Sequence, residues 1–280
     1  MSVDPASSSS TDSPEASADT AESPPVRRRP RGLILIVVAL VLGPVIYREY
    51  PREMARWRVA AALNARSADD NEKARQLLDE AFAWDPENRP ARLQQARWQM
   101  QDEQLDEALA AYDQLVKESP ADTALMMERA DAYLRAGKPE TAIEVWKTLE
   151  KQAAHASTAE RAVVLNGLAY FRAVGNIELD EALEDVELAI KLIGEDAAKL
   201  DTRGYIHYRR GDYQAALADL DPAVKEVEQK FTQGGLDAHT VAVIHYHRGL
   251  VHQALEDKVA AEADFERVRS LGFEPNDRLY

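Results

Sequence analysis

The sequence contains no cysteine. Disulfides, thiolate zinc sites and cysteine nucleophiles are therefore excluded together, although either redox compartment remains open to such a chain. Glycine and proline are sparse, 12 and 13 of 280 residues. Alanine and leucine recur instead among Glu, Asp, Arg and Lys, a composition that leans towards helix. Positive charge is in short supply: 34 basic side chains face 49 acidic ones, a formal charge of -15. Residues 1–51 hold six acidic and five basic groups, so about -14 belongs to the rest. Such a surface repels phosphate backbones and excludes nucleic acid as the natural partner. It serves solubility first, and it also attracts a basic partner.

Catalytic motifs are missing as well. There is no H-E-x-x-H, G-x-x-x-x-G-K-[ST], G-x-G-x-x-G or G-x-S-x-G pattern. Neighbouring carboxylates such as Glu181 and Asp185 read as a solvated helix face rather than as an acid–base pair. The sequence thus points to no catalytic residue, no cofactor and no metal centre, and to a protein that is not an enzyme.

What is present falls into three zones. Residues 1–31 form a tail rich in Ser, Ala, Asp, Glu, Thr and Pro, ending in Arg27, Arg28, Arg29 and Arg31. It has almost nothing to bury and is expected to be disordered. Residues 32–50 contain the uncharged run from Leu33 to Tyr47, LILIVVALVLGPVIY. Fifteen helical residues reach about 23 Å, short of a hydrocarbon core of about 30 Å. Gly32, snorkelling arginines, Tyr47 and Tyr50 bridge the difference, so a single transmembrane anchor is the leading reading. A cleaved signal peptide is the second, set back by the long leader and the missing A-x-A site. A buried core helix is the third, set back because the run is apolar on every face. The tight arginine cluster before the run favours a cytoplasmic N-terminus and an extracytoplasmic domain, on the periplasmic side, over Arg48, Arg52, Arg56 and Arg58 after it. A cytoplasmic domain is the alternative.

Residues 51–280 repeat. Ala74, Ala108 and Ala142 are 34 residues apart, as are Pro86 and Pro120. The register continues at Ala182, Ala216 and Ala261, with spacings of 40, 34 and 45 that imply two insertions. Six units follow, at about 55–88, 89–122, 123–154, 161–196, 197–229 and 242–275. A 34-residue period is one helix–turn–helix unit of a stacked array, in which single hairpins cannot bury their apolar faces alone.

The chain resembles the tetratricopeptide repeat family, and in particular bacterial membrane proteins with one N-terminal span and such a domain. The resemblance rests on Ala62, Ala96, Ala130, Ala169, Gly204 and Gly249 at the small eighth position, on Tyr133 at an eleventh, and on Gly137 and Gly211 in the turns. It rests also on second-helix segments such as EALAAYDQLV and TAIEVWKTLE. It implies an all-α superhelix, with small residues where paired helices meet and with Tyr112, Trp146, Leu220 and Phe265 filling the space between hairpins. The unit near Asn176–Leu179 needs an extra residue or two, so its turn should be irregular. Arg58, Trp57 and Arg66 mark the first unit as a cap or a membrane-adjacent variant.

The resemblance further implies a concave groove lined by the first helix of each unit. Its candidate partner-binding residues are Leu93, Arg97, Met100, Met127, Asp131, Arg135, Tyr170, Asp201, Tyr205, Tyr208, Arg209 and Tyr246. Aromatics, Met and Arg are common interface anchors, so the partner is expected to be a protein or peptide, with Arg97, Arg135 and Arg209 able to hold carboxylates. The Lys and Asn clamp by which some members hold a chain terminus is absent. His207 and His252 fall at eleventh positions and read as imidazoles packed in place of tyrosine. A metal or pH-sensitive site among the C-terminal histidines is the lesser alternative. The functional expectation is a membrane-tethered scaffold or adaptor. A chaperone-like holder of exported or unfolded chains is the second reading, and a ligand sensor or enzyme the third.

Overall fold

A computed structural model describes residues 31–276, without the side chains of residues 31–39 and 46. The tail assigned to residues 1–31 lies, but for its last residue, outside the described residues. The chain divides into two units, Met1–Pro51 and Arg52–Tyr280. Within the first unit runs the opening part of α1, Arg31–Ser67, a helix with Pro44 and Pro51 inside it. Among the described residues, no helix is long and apolar enough to cross a membrane. The first half of the apolar run, residues 33–39, has no described side chains.

The second unit is all α. After α1 come α2 (Asn71–Trp84), α3 (Arg89–Gln101), α4 (Leu105–Glu118), α5 (Thr123–Arg135), α6 (Pro139–Ala153) and α7 (Thr158–Gly175). Then follow α8 (Leu179–Ile193), α9 (Ala197–Arg210), α10 (Tyr213–Thr232), α11 (Ala238–Ala254) and α12 (Lys258–Ser270). At the starts of α2, α3, α5, α7, α9, α11 and α12 a side chain satisfies an otherwise unpaired backbone N–H group. Asp70, Asn88, Asp122, Asp196, Asp237 and Asp257 each accept from an N–H three residues on. Ser157 and Glu160 close a reciprocal capping box at α7.

The period is also written in backbone dihedrals. Each hairpin turn contains a residue with φ near +50 to +90°: Asp69, Glu103, Gly137, Asn176, Gly211 and Glu256. Only at Gly137 and Gly211 does glycine supply the left-handed conformation at little cost. The irregular fourth turn carries two such residues, Asn176 and Glu178, as the extra chain there requires. The two longer spacings have plain causes. Helix α7 is 18 residues long, and α10 extends to 20, past Pro222.

Inside each hairpin the helices meet at small residues. Ala62, Ala96, Ala130 and Ala169 are fully buried, as are Ala74, Ala108, Ala142, Ala182 and Ala216. At Gly204 an added Cβ would stand 2.7 Å from Leu220 Cγ, and at Gly249 it would stand 2.6 Å from Phe265 Cε1. Trp146 is accommodated differently: its ring lies over Gly167 of the next unit, where a Cβ would fall 2.3 Å from Cη2. Tyr112, Leu115, Leu149 and Leu168 complete the central core.

Helices α7, α9 and α11 pack on one another directly, whereas α8, α10 and α12 do not. First helices therefore lie at the inner radius of the curve and second helices at the outer. Helices α3, α5 and α7 are held further apart by the second helices between them. Among the pairings of a second helix with the first helix of the next hairpin, that of α2 with α3 is the least extensive. It is bridged by Arg66 and Arg75, whose guanidinium groups reach Asp102 at 3.0 and 2.8 Å, and by Arg66 over the Trp98 ring.

Candidate functional site

The inner face divides into an open half over α3, α5 and α7 and a filled half over α7, α9 and α11. In the open half, a cavity of about 440 Å³ is lined by Arg97, Met100, Gln101, Tyr112, Met127, Glu128, Asp131 and Arg135. Five of these, Arg97, Met100, Met127, Asp131 and Arg135, are candidates from the sequence. Leu93 packs half-buried against the same core. A second cavity of about 360 Å³ opens where α5 and α7 stand apart, walled by Met127, Leu149, Ala153, Ala156, Ala159, Val163 and Val164. A third, of about 210 Å³, includes Val163, Asn166, Ile193 and Lys199. Met127 belongs to the first two and Val163 to the last two, so the three depressions form a series along the inner helices.

Two of the three arginines expected to hold a carboxylate already do so. Arg97 grips Glu128 in a two-pronged pair at 2.8 and 2.5 Å, and Glu128 also accepts from the Tyr112 hydroxyl at 3.1 Å. Arg135 reaches Asp131 one turn back at 3.1 Å. Burial pushes the Asp131 carboxyl above its ordinary range, with Glu128 adding to the rise, while Arg135 and His239 oppose it. Arg209 differs. It lies 5.9 Å over the Tyr205 ring, donates to the Tyr205 hydroxyl at 3.3 Å, and makes no ion pair among the described residues.

The filled half is an aromatic cluster. Tyr205 stacks on His247 at 4.1 Å and on Tyr208 at 5.8 Å, and Tyr170 lies 6.4 Å from Tyr205. Tyr246 lies 6.1 Å from His247, whose Nδ1 donates to Asp201 at 2.8 Å. Asp201, Tyr205 and Tyr246 are buried, while Tyr170, Tyr208 and Arg209 are half-buried. The C-terminal part of the inner face is thus largely occupied by its own side chains.

The histidines are placed otherwise than the repeat register suggests. His207 and His252 stay half-exposed, and the buried pair is His245 and His247. Both ring nitrogens of His245 face carboxylate oxygens, Asp264 at 2.7 Å and Glu228 at 2.9 Å. Arg248 clasps Asp264 at 2.8 and 3.0 Å, and Arg267 clasps Glu228 at 2.6 and 2.9 Å. Burial pushes Asp264 up, but the hydrogen bonds from His245 and Arg248 outweigh it and hold the carboxyl below its ordinary range. This network ties α10, α11 and α12 together. One part of it has a sequence signal. Arg203 and Arg248 hold Asp219 and Asp264, each sixteen residues on, in equivalent places of their hairpins. Among the described residues, no group of three side chains is arranged to hold a metal ion.

Residues 99–162 match the family model described as "Tetratricopeptide repeat". That stretch is a tetratricopeptide repeat. No curated protein matches the chain. Its repeat domain is similar to several solved structures, all at an identity that speaks for the fold alone. A tetratricopeptide repeat protein from Parabacteroides merdae has TM-score 0.53 and 16% identity, over 79% of this chain and 94% of that one. PilW, described as a widely conserved type IV pilus biogenesis factor, has TM-score 0.56 and 13% identity, over 77% and 92%. The pilF protein of Pseudomonas aeruginosa has TM-score 0.51 and 15% identity, over 79% and 93%.

Proposed function

We propose that this protein is a membrane-tethered scaffold whose inner face holds an extended segment of a partner protein. One observation carries the reading. Three depressions linked by Met127 and Val163 run in series along the first helices, where residue types common at interfaces gather. A chain in an extended conformation can occupy such a series, with alternate side chains dropping into successive pockets. The tether rests on the sequence: an uncharged run from Leu33 to Tyr47 behind four arginines. The same arginines favour an extracytoplasmic, periplasmic-side repeat domain. One of the similar structures, PilW, is described as a type IV pilus biogenesis factor, and envelope assembly is a setting in which such a tether makes sense.

A second reading is a holder of exported or unfolded chains. The mainly apolar wall of the α5–α7 cavity favours it, because a permissive groove needs few polar requirements. A photo-crosslinking residue at Met127 of the full-length chain, with one at Glu184 on an outer helix as control, tests both. Adducts of one stoichiometric partner at Met127 support the scaffold, and many unrelated adducts support the holder. Adducts at Glu184 alone refute the inner face as the binding surface. A single cysteine at Asn276 reports the side of the membrane: labelling of intact cells by a maleimide that enters the periplasm but not the cytoplasm supports the outward orientation.

A further inference from the structure

We infer that the partner segment carries an apolar side chain for the α5–α7 cavity and, about five residues away, a carboxylate for Arg209. The inference rests on the inner face being the binding surface and adds the chemistry it selects.

The apolar half follows from the walls. The cavity holds about 360 Å³ and is mainly lined by Met, Leu, Val and Ala, with Val163 55% exposed at its edge. An exposed valine beside an open apolar cavity gains from being covered, at roughly 25 cal/mol per Å² of apolar surface removed from water. The charged half follows from complementarity. In a chain with a formal charge of -15, most arginines of the repeat domain have a carboxylate within reach, among them Arg97, Arg135, Arg203 and Arg248. Arg97 and Arg135 on the inner face are already paired, so an incoming charge gains little there. Among the described residues Arg209 has no such partner, and Asp201, the acid on the same face of α9, is buried against His247. A half-buried guanidinium held over a tyrosine ring is arranged for a carboxylate, which it binds with strong directional hydrogen bonds.

The spacing comes from helix geometry. Val163 lies six residues before Ala169, and Arg209 lies five after Gly204, the equivalent small residue. That is about 16 Å along the axis at roughly 1.5 Å per residue. Packed helices such as α7 and α9 are about 8–10 Å apart. The diagonal is roughly 18 Å; five residues of extended chain reach about 16.5 Å at about 3.3 Å each, and the length of a Glu side chain covers the remainder.

The test uses the full-length chain in detergent micelles and the fluorescein-labelled peptide Ser-Leu-Thr-Ser-Thr-Ser-Glu-Ser, together with its reversed sequence, read by anisotropy. In the favoured direction, Leu→Ser and Glu→Gln in the peptide each weaken binding by about tenfold. Val163→Asp weakens it by a similar factor. Arg209→Gln weakens the Glu peptide tenfold but leaves the Gln peptide unchanged, and Arg209→Lys restores part of the loss. Thermal melts confirm that the variants fold. Loss of binding with Val163→Asp but none with Arg209→Gln overturns the carboxylate assignment while leaving the inner face as the binding surface. Failure of both peptides to bind, or indifference to Val163→Asp, overturns the inference, and the crosslink from Met127 separately decides whether the inner face binds at all.

Discussion

Replacing Gly204 with alanine should destabilise the protein, although alanine is the better helix former by about 1 kcal/mol. The opposing effect is steric. The new Cβ would sit 2.7 Å from Leu220 Cγ and 3.2 Å from the Ala216 carbonyl oxygen. Leu220 is fully buried, and Cγ is its branch point, so the side chain cannot swing its tip away. Overpacking of this kind costs about 1–3 kcal/mol, and the net expectation is a loss of roughly 1 kcal/mol. Gly249→Ala is the comparator. There the obstacle is the ring of Phe265, half-buried and able to tip, so its loss should be smaller. Urea unfolding followed by circular dichroism measures both. Leu220→Ala alone should cost about 2–5 kcal/mol, and clearly less in the Gly204→Ala background, because the clash goes with it. A Gly204→Ala protein as stable as its parent, with additive effects in the double variant, would refute the assignment of Gly204 to the contact between α9 and α10.

Glu103→Gly and Glu256→Gly should each stabilise by about 1 kcal/mol, since both residues hold a left-handed turn conformation that favours glycine; unfolding midpoints decide it. Gly167→Ala should displace the Trp146 ring and lower stability by about 1–3 kcal/mol, with a change in tryptophan emission as the local readout. Asp264→Asn should cost about 3–5 kcal/mol at neutral pH by leaving His245 and Arg248 without their buried carboxylate. Because the folded state depresses the titration of Asp264, its contribution is present above the ordinary aspartate value of 3.8 and is lost as pH falls below it. The gap between parent and variant should therefore narrow at pH 3, and a gap that widens there would contradict the sign.

The repeat architecture was legible because it depends on local rules applied in phase. Small residues every 34 positions and glycine at Gly137 and Gly211 report contacts or turns inside one hairpin, and Pro86 and Pro120 mark the short connections from one hairpin to the next. The open half of the candidate groove was legible for the same reason: Arg97, Met100, Met127, Asp131 and Arg135 share a cavity because helix periodicity puts them on one face. What the register does not contain is competition for partners. That Glu128 claims Arg97, or that Asp201 turns inward to His247, depends on neighbouring helices and leaves no mark on the spacing. The burial of His245 and His247 in place of His207 and His252 has the same origin, since the lengthened α10 brings Glu228 against α11. Gly167 escaped notice because the ring it makes room for belongs to a different unit.

The thin seam between α2 and α3 has a mechanical consequence. When the stack is pulled from its two ends, load passes through every junction in turn, and the weakest yields first. At this seam α2 and α3 meet over few backbone positions, and the Arg66, Arg75 and Asp102 cluster shares the load with the apolar contacts among Leu78, Ala81, Ala91 and Trp98. Ion pairs at a surface weaken as salt rises. The first hairpin would thus detach from the remaining five before they unravel, at a force that falls with ionic strength.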